Sequence, residues 1–340
     1  LLSVLTRTDG NRPGMLTEAL ACLAAQSLQD FEVLLLVHSD SAEVLAACKE
    51  LVDSFDEAFC SRVRLLQVAA GGGGRAVPLN AGLKAAVGRY VAFLDDDDLV
   101  TADWAEAFAG AIEAAPGRIV RSGCLGRHVR KAGGGEEQMG DVPVTLSRPL
   151  AEFGDGFDLL AHFATNSTPI LSVAIPRALF SELGLVFDET YEVCEDWELL
   201  LRAGLLVGVR DTGRVTCVYQ RWDDAGTTTA TTPASSWAGA LSRMVTELDK
   251  HPLLLPTGIA SKIAYLVADP ELGEKRSLAV ELADTRRVLE ETRADLAAAE
   301  ARAAEAEQAH EEIASSEFWR ITAPLRVPLS RLAARRRGSP

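Results

Sequence analysis

The sequence predicts an α/β protein with a doubly wound, mostly parallel sheet and a helical extension at its C-terminal end. Three observations carry that prediction. Short apolar runs such as Phe31–Val37 lack the in–out alternation of a half-solvated strand, so they read as strands buried on both faces. Segments with helical spacing lie between them, joined by short links. From about residue 275 the composition shifts to Ala, Glu and Arg.

Taken in order, 3–6 reads as a strand. A helix is expected over 13–27, with Pro13 at its start and apolar residues at 16, 19, 20 and 23. The strand 31–37 follows, then a helix over 41–55 opened by Ser41. A strand at 63–69, a helix near 76–87 and a strand at 90–94 complete the regular part. Beyond about 115 the pattern loosens. Residues 118–140 read as a hairpin with a glycine-rich tip. Helices are expected near 155–163, 176–183 and 195–203, with short strands near 171–175, 205–209 and 215–219. The Thr- and Ser-rich stretch 225–236 reads as a loop. Leu282, Leu289, Leu296 and Ala303 keep a seven-residue step, with Thr285, Thr292, Ala299 and Ala306 three residues on, which reads as a thin coiled-coil seam. The expected organisation is two halves of one body, 1–115 and 116–245, then a helical connector at 246–275, a coiled-coil helix at 276–314 and a basic amphipathic tail at 315–340.

Hydrophobic residues make up 48% of the 340 residues and charged residues 24%, which is globular composition. The net charge is −15. Residues 318–340 hold six arginines and no acid, so the rest of the chain carries −21. A body so acidic offers no basic face for nucleic acid, and none is expected as a partner. The six cysteines are scattered without a C-x-x-C pair, which suits buried thiols in a reducing compartment. No apolar run is long enough for a membrane-spanning helix. No signal peptide is visible, and Leu1 already begins a strand, which leaves open what precedes it. The expected location is the cytoplasm.

The strand at 90–94 ends on four consecutive acids, Asp95 to Asp98. Like charges this close repel, so either water or a cation must answer them. Ligands of open α/β sheets bind at the carboxyl ends of strands, where these acids stand. A D-x-D pair can hold Mg²⁺ or Mn²⁺ against a diphosphate, since these hard cations favour carboxylate and phosphate oxygens. The plain alternative is a solvated acidic turn leading into the next helix. A second acidic pair, Glu195-Asp196, opens a predicted helix beside Trp197. It can serve as a helix-start charge, or as a base beside an aromatic wall in a sugar pocket.

The stretches SVLTRTDGNRPGMLTEALACLAAQSLQDFEVLLLV, LNAGLKAAVGRYVAFLDDDDLV and FDETYEVCEDWELLLRAG occur in that order over roughly residues 1–220. Together they resemble the family 2 glycosyltransferases, which have the GT-A fold. The resemblance implies an inverting transfer from a nucleotide-sugar donor. It makes Asp97 the direct metal ligand together with Asp95, the ion being Mn²⁺ or Mg²⁺, and Asp196 the catalytic base. Thr6, Arg7, Asp40, Arg75, Asn80, Asp95 and Asp96 are expected along the donor, Asp40 standing in for the family's base-binding Asp and Arg75 for the Arg usual at position 79. Asp98 is expected to cap the following helix and Glu195 to act chiefly as a helix-start acid. The chain departs from the family at Thr6-Arg7-Thr8-Asp9, where Pro-Thr-Tyr-Asn is usual, at His38-Ser39-Asp40, and at Leu79, where Arg is frequent. Gly71–Gly74 is no P-loop, because no Gly-Lys-Ser/Thr follows.

The tail, from Ser315, resembles short segments that follow coiled coils in bacterial surface-polysaccharide glycosyltransferases. Its aromatic and aliphatic residues interleave with arginines, which suits contact with an anionic inner membrane face. The implied acceptor is a glycan or lipid-linked sugar, and the coiled coil implies a homo-oligomer. Two other classes fit parts of the pattern. A nucleotidyltransferase also uses a doubly wound sheet with metal-bound carboxylates, but its glycine-rich basic loop is poorly matched by TRTDGNRPG. A non-enzymatic coiled-coil scaffold fits the C-terminal part but leaves Asp95, Asp97 and Asp196 without a role.

Overall fold

The computed structural model describes residues 1–71, 74–131, 143–153, 156–223, 232–255 and 257–268. The chain divides into two units, Leu1–Ile259 and Ala260–Pro340. Of the second unit, only 260–268 lie among the described residues, within a helix running Ile259–Ala268. The proposed coiled coil and basic tail, the hairpin tip at 132–140 and most of the Thr-rich loop lie outside them.

The first unit is an α/β body. Its strands are β1 (Leu2–Thr8), β2 (Phe31–His38), β3 (Val63–Val68), β4 (Tyr90–Phe93), β5 (Leu99–Val100), β6 (Ile119–Arg130), β7 (Val144–Thr145), β8 (Leu150–Phe153), β9 (Val173–Pro176) and β10 (Val209–Trp222). Its helices are α1 (Pro13–Ala24), α2 (Ala42–Asp53), α3 (Glu57–Cys60), α4 (Ala76–Ala85), α5 (Trp104–Ala114), α6 (Leu159–His162), α7 (Arg177–Ser181), α8 (Glu195–Val207) and α9 (Ala234–Leu248). One sheet runs β3-β2-β1-β4-β9-β6-β10-β5, with β7 and β8 added on β6. The long pairings are parallel: β3 with β2, β2 with β1, β1 with β4, and β6 with β10. The antiparallel pairings span only two or three residues each.

The apolar runs follow from burial on both faces. Val33, Leu35 and Val37 of β2 point into a core shared with Leu16, Leu20, Trp104 and Phe108 of α1 and α5. Leu34 and Leu36 point the other way, into a core shared with Leu79, Leu83, Leu199 and Leu200 of α4 and α8. β4 divides likewise, Ala92 to the first core and Val91 and Phe93 to the second. Two-layer covering therefore brings β1 and β4 side by side, with their carboxyl ends open.

Gly88, just before β4, is fixed by its neighbours. A Cβ there would lie 2.5 Å from the Ser3 nitrogen and 2.6 Å from the Leu2 carbonyl carbon, both backbone atoms that cannot swing aside. Gly88→Ala is expected to cost about 1–3 kcal/mol of stability, as overpacking does. Urea denaturation measures it, and an unchanged midpoint would show that β1 can shift.

The loosely patterned half departs from the sequence expectation in places. There is no strand at 205–208; β10 begins only at Val209. Helix α8 continues through Leu205 and Val207 because that face is still buried, and Gly208, at φ 68°, turns the chain into β10. The strand near 215–219 is the middle of β10. The helix near 155–163 is a single turn at 159–162, capped by the Asp158 carboxylate. Residues 234–236, expected in a loop, begin α9.

Candidate active site

The four aspartates follow β4 directly. The Leu94 N–H donates to Leu5 O at 3.0 Å, which continues the β1–β4 pairing to the edge of the sheet. Each carboxylate then finds a partner. Asp95 accepts from Arg7 Nη2 at 2.7 Å. Asp96, 1% exposed, accepts from Thr8 Oγ1 and from Arg12 Nη2, both at 2.6 Å. Asp97 accepts from Arg12 Nη1 at 2.6 Å. Asp98, 3% exposed, accepts from the Gln220 backbone N–H at 2.9 Å. The cations that answer the acid run are thus two arginines from the end of β1 and the loop after it.

Asp98 does not cap the next helix, contrary to expectation. It is turned inward against β10, and Asp103 stands at the α5 start without a capping bond. Gln220 secures the turn a second time: its Nε2 donates to Asp97 O at 2.6 Å, and its Oε1 accepts from Arg127 Nη2 at 2.7 Å.

These contacts set the charge states. Burial opposes ionisation of Asp95, but Arg7, Arg75 and Arg12 outweigh it and hold the carboxyl below its ordinary value. Burial, reinforced by Asp97 and Asp95, pushes Asp96 up to about 7 against the pull of Arg12 and Thr8. Burial and Asp97 raise Asp98 well above its ordinary value.

The second acidic pair joins the same site through Arg7. Glu195, 3% exposed, lies 3.5 Å from Arg7 Nη1 and 3.3 Å from Arg75 Nε. Arg7 Nη1 also donates to Arg75 O at 2.9 Å. One guanidinium therefore touches Asp95 at the end of β4 and Glu195 at the start of α8. Glu195 is not a solvated helix-start acid but a buried counter-charge to two arginines. Asp196, beside it, is partly exposed and accepts from the Trp197 N–H at 2.7 Å. Withdrawal from water and the neighbouring Glu195 push Asp196 up to about 6, against Arg75.

Trp197 is no wall of a sugar pocket. Its side chain is in the core, the residue 7% exposed, with Nε1 donating to His162 O at 2.7 Å. Neighbouring helix residues point about 100° apart, so a partly open Asp196 and a buried Trp197 are compatible.

The other expected donor residues are placed variously. Arg75, at the α4 start, has its side chain 44% exposed and reaches Glu195. Asp40 is exposed beyond β2 and accepts from the Ala70 N–H at 3.2 Å. Thr6 is fully buried in β1 with its hydroxyl bonded to none of the acids. Asn80 is 6% exposed and spends its amide on Phe187 and Glu189. Thr8, Arg12, Gln220 and Arg127 were not anticipated.

Among the described residues no group of three or more His, Cys, Asp or Glu side chains is placed to hold a metal ion. Asp95 and Asp97 nonetheless offer hard oxygen donors just past the carboxyl end of β4, with side chains 15% and 23% exposed. Such a pair fits a hard cation whose remaining ligands come from phosphate oxygens and water.

Comparison with known proteins agrees with this architecture. Residues 10–141 match the model of Glycosyl transferase family 2. No curated protein matches the chain in sequence. Among solved structures, S. aureus TarS 1-349 in complex with UDP-GlcNAc is similar at 19% identity over 68% of this chain and 61% of that one, with a TM-score of 0.51. The chain thus spans about three fifths of that structure's length. The mannosyltransferase PcManGT from Pyrobaculum calidifontis, in complex with GDP-Man and Mn²⁺, is similar at 19% identity over 98% of this chain and 86% of that one, with a TM-score of 0.50. At these identities the likeness is one of fold: a curled, mostly parallel α/β sheet of GT-A type. No helix among the described residues is long and apolar enough to cross a membrane.

Proposed function

We propose that this protein is an inverting, metal-dependent glycosyltransferase that moves a sugar from a nucleotide-sugar donor to a glycan or lipid-linked acceptor. The observation that carries the reading is Arg7, which joins the D-x-D turn and the Glu195-Asp196 helix start in one site. The family 2 match over residues 10–141 supports the reaction class. The two similar structures support the donor class, since one holds UDP-GlcNAc and the other GDP-Man with Mn²⁺.

Asp97 and Asp95 would hold the divalent cation, which would supply positive charge against the departing diphosphate. Arg7 and Arg75 add fixed positive charge beside it. Asp196 takes the proton of the acceptor hydroxyl as that oxygen bonds to the anomeric carbon. The bond from that carbon to the diphosphate breaks, and its electron pair leaves with the nucleotide. A carboxylate raised to about 6 is a stronger base than an ordinary one, yet is still mostly ionised at neutral pH. The acidic body, the heptad segment at 276–314 and the arginine-rich tail support work in the cytoplasm on surface polysaccharide. The tail would meet the anionic membrane face and the heptads would pair copies of the chain.

A thermal-shift screen against UDP-, GDP- and TDP-sugars, with and without Mn²⁺, tests the reading. A donor at 100 times its dissociation constant adds about 2.7 kcal/mol of stability. Stabilisation by one nucleotide series that EDTA removes is the expected result. No shift with any of them would refute it.

A further inference from the structure

The segment 186–194 leads into α8 and ends on the turn that presents Asp196. It contains no helix or strand. An open pocket of about 500 Å³ lies against it, lined in part by Lys84, Asp188, Glu189 and Arg202; Phe187, Tyr191 and Val193 are buried, but that packing does not hold the exposed Glu189 and Thr190 between them. Hydrogen bonds from three other elements hold the segment. From α4, Asn80 Nδ2 donates to Phe187 O at 2.9 Å and to Glu189 Oε1 at 2.8 Å, while its Oδ1 accepts from Phe187 N at 2.9 Å. From α8 itself, Arg202 Nη2 donates to Val186 O at 2.6 Å. From α9, Arg243 Nη2 donates to Asp188 Oδ2 at 3.0 Å and to Thr190 Oγ1 at 2.5 Å, and Nη1 to Thr190 O at 3.4 Å. The same guanidinium lies 4.4 Å from the centre of the Tyr191 ring. Met244, 1% exposed, anchors α9 next to it.

The segment ends on Cys194, the only non-glycine residue among those described with a positive φ, 67°. A cysteine in the left-handed region persists only where its surroundings over-determine it, and such strain collects at functional sites. Here it stands immediately before Glu195-Asp196. Arg243 itself bonds to none of the acids of the cleft, so any effect on them passes through the segment it grips.

We propose that Arg243 is a positioning residue: by clamping residues 188–191 to α9, it keeps the Cys194 turn closed and Asp196 in place. The proposal rests on the reading of Asp196 as the base. Its test pairs amide hydrogen exchange with turnover for Arg243→Gln, which loses the charge and the fork, and Arg243→Lys, which keeps the charge. In Arg243→Gln, amides from 190 to 198 should exchange about tenfold faster, while those of β1 and β4 stay unchanged, as expected of a local opening. Affinity for UDP or GDP with Mn²⁺ should hold, and turnover of the donor that the screen identifies should fall about tenfold, because a misplaced catalytic group costs rate rather than binding. Arg243→Lys should recover part of both. Unchanged exchange at 190–198 overturns the clamp. Nucleotide affinity falling in step with turnover overturns it too, by putting the guanidinium at the donor. If the unmutated protein turns over no nucleotide sugar, the assigned function fails, while the exchange arm still decides the clamp.

Discussion

Asp196→Asn is expected to lower turnover about 10²–10⁴-fold, the usual loss when a positioned base is removed. The amide keeps the side chain's size and can still accept from the Trp197 N–H, so the α8 start should survive. Donor affinity should change little, because the nearer acid to Arg7 and Arg75 is Glu195. The unmutated protein adds a pH signature. A base works ionised, so turnover should fall as pH drops through about 6, where burial and Glu195 place Asp196. That limb should vanish from the residual activity of Asp196→Asn. Calorimetry of donor binding beside a pH–rate profile makes the measurement. Normal turnover in the variant would move the base elsewhere. Lost donor binding with an intact fold would move the whole motif.

Asp97→Ala is expected to erase the difference that Mn²⁺ makes to nucleotide affinity. Its carboxylate holds only Arg12, which keeps Asp96 as a partner, so the fold should tolerate the loss. Asp98→Ala should behave oppositely. It leaves the buried Gln220 N–H unpaired, a cost of about 1–3 kcal/mol in stability, while metal-dependent affinity stays. The pair of variants therefore separates chemistry from scaffolding within one turn. Metal dependence that persists in Asp97→Ala would reassign the ligand.

Much of the first half was legible because its strands are buried on both faces. Leu34 and Leu36 serve one core, Val33, Leu35 and Val37 the other, and the result is a run that only a covered parallel strand explains. The acid run was legible too, since four adjacent carboxylates at a strand end demand an answer. Which cation answers was harder to see. Arg12 reaches Asp96 and Asp97 because Gly10, at φ 80°, turns the chain back before α1, a conformation no periodicity reports. Gln220 grips the turn from more than a hundred residues away and carries no local signal. Trp197 misled because adjacency in sequence says nothing of direction on a helix. Leu205, Leu206 and Val207 misled because a buried helix end and a strand share the same apolar letters.

The single guanidinium of Arg7 has an evolutionary consequence. Asp95 and Glu195 lie in segments a hundred residues apart, yet both balance their charge on it. Losing Arg7 takes from Asp95 its hydrogen-bonded cation and leaves Glu195 with Arg75 alone, and losing either acid frees half of the fork. Positions 7, 95 and 195 are therefore expected to change together. Relatives that alter one should alter the others, and the two acidic motifs cannot drift toward new substrates independently.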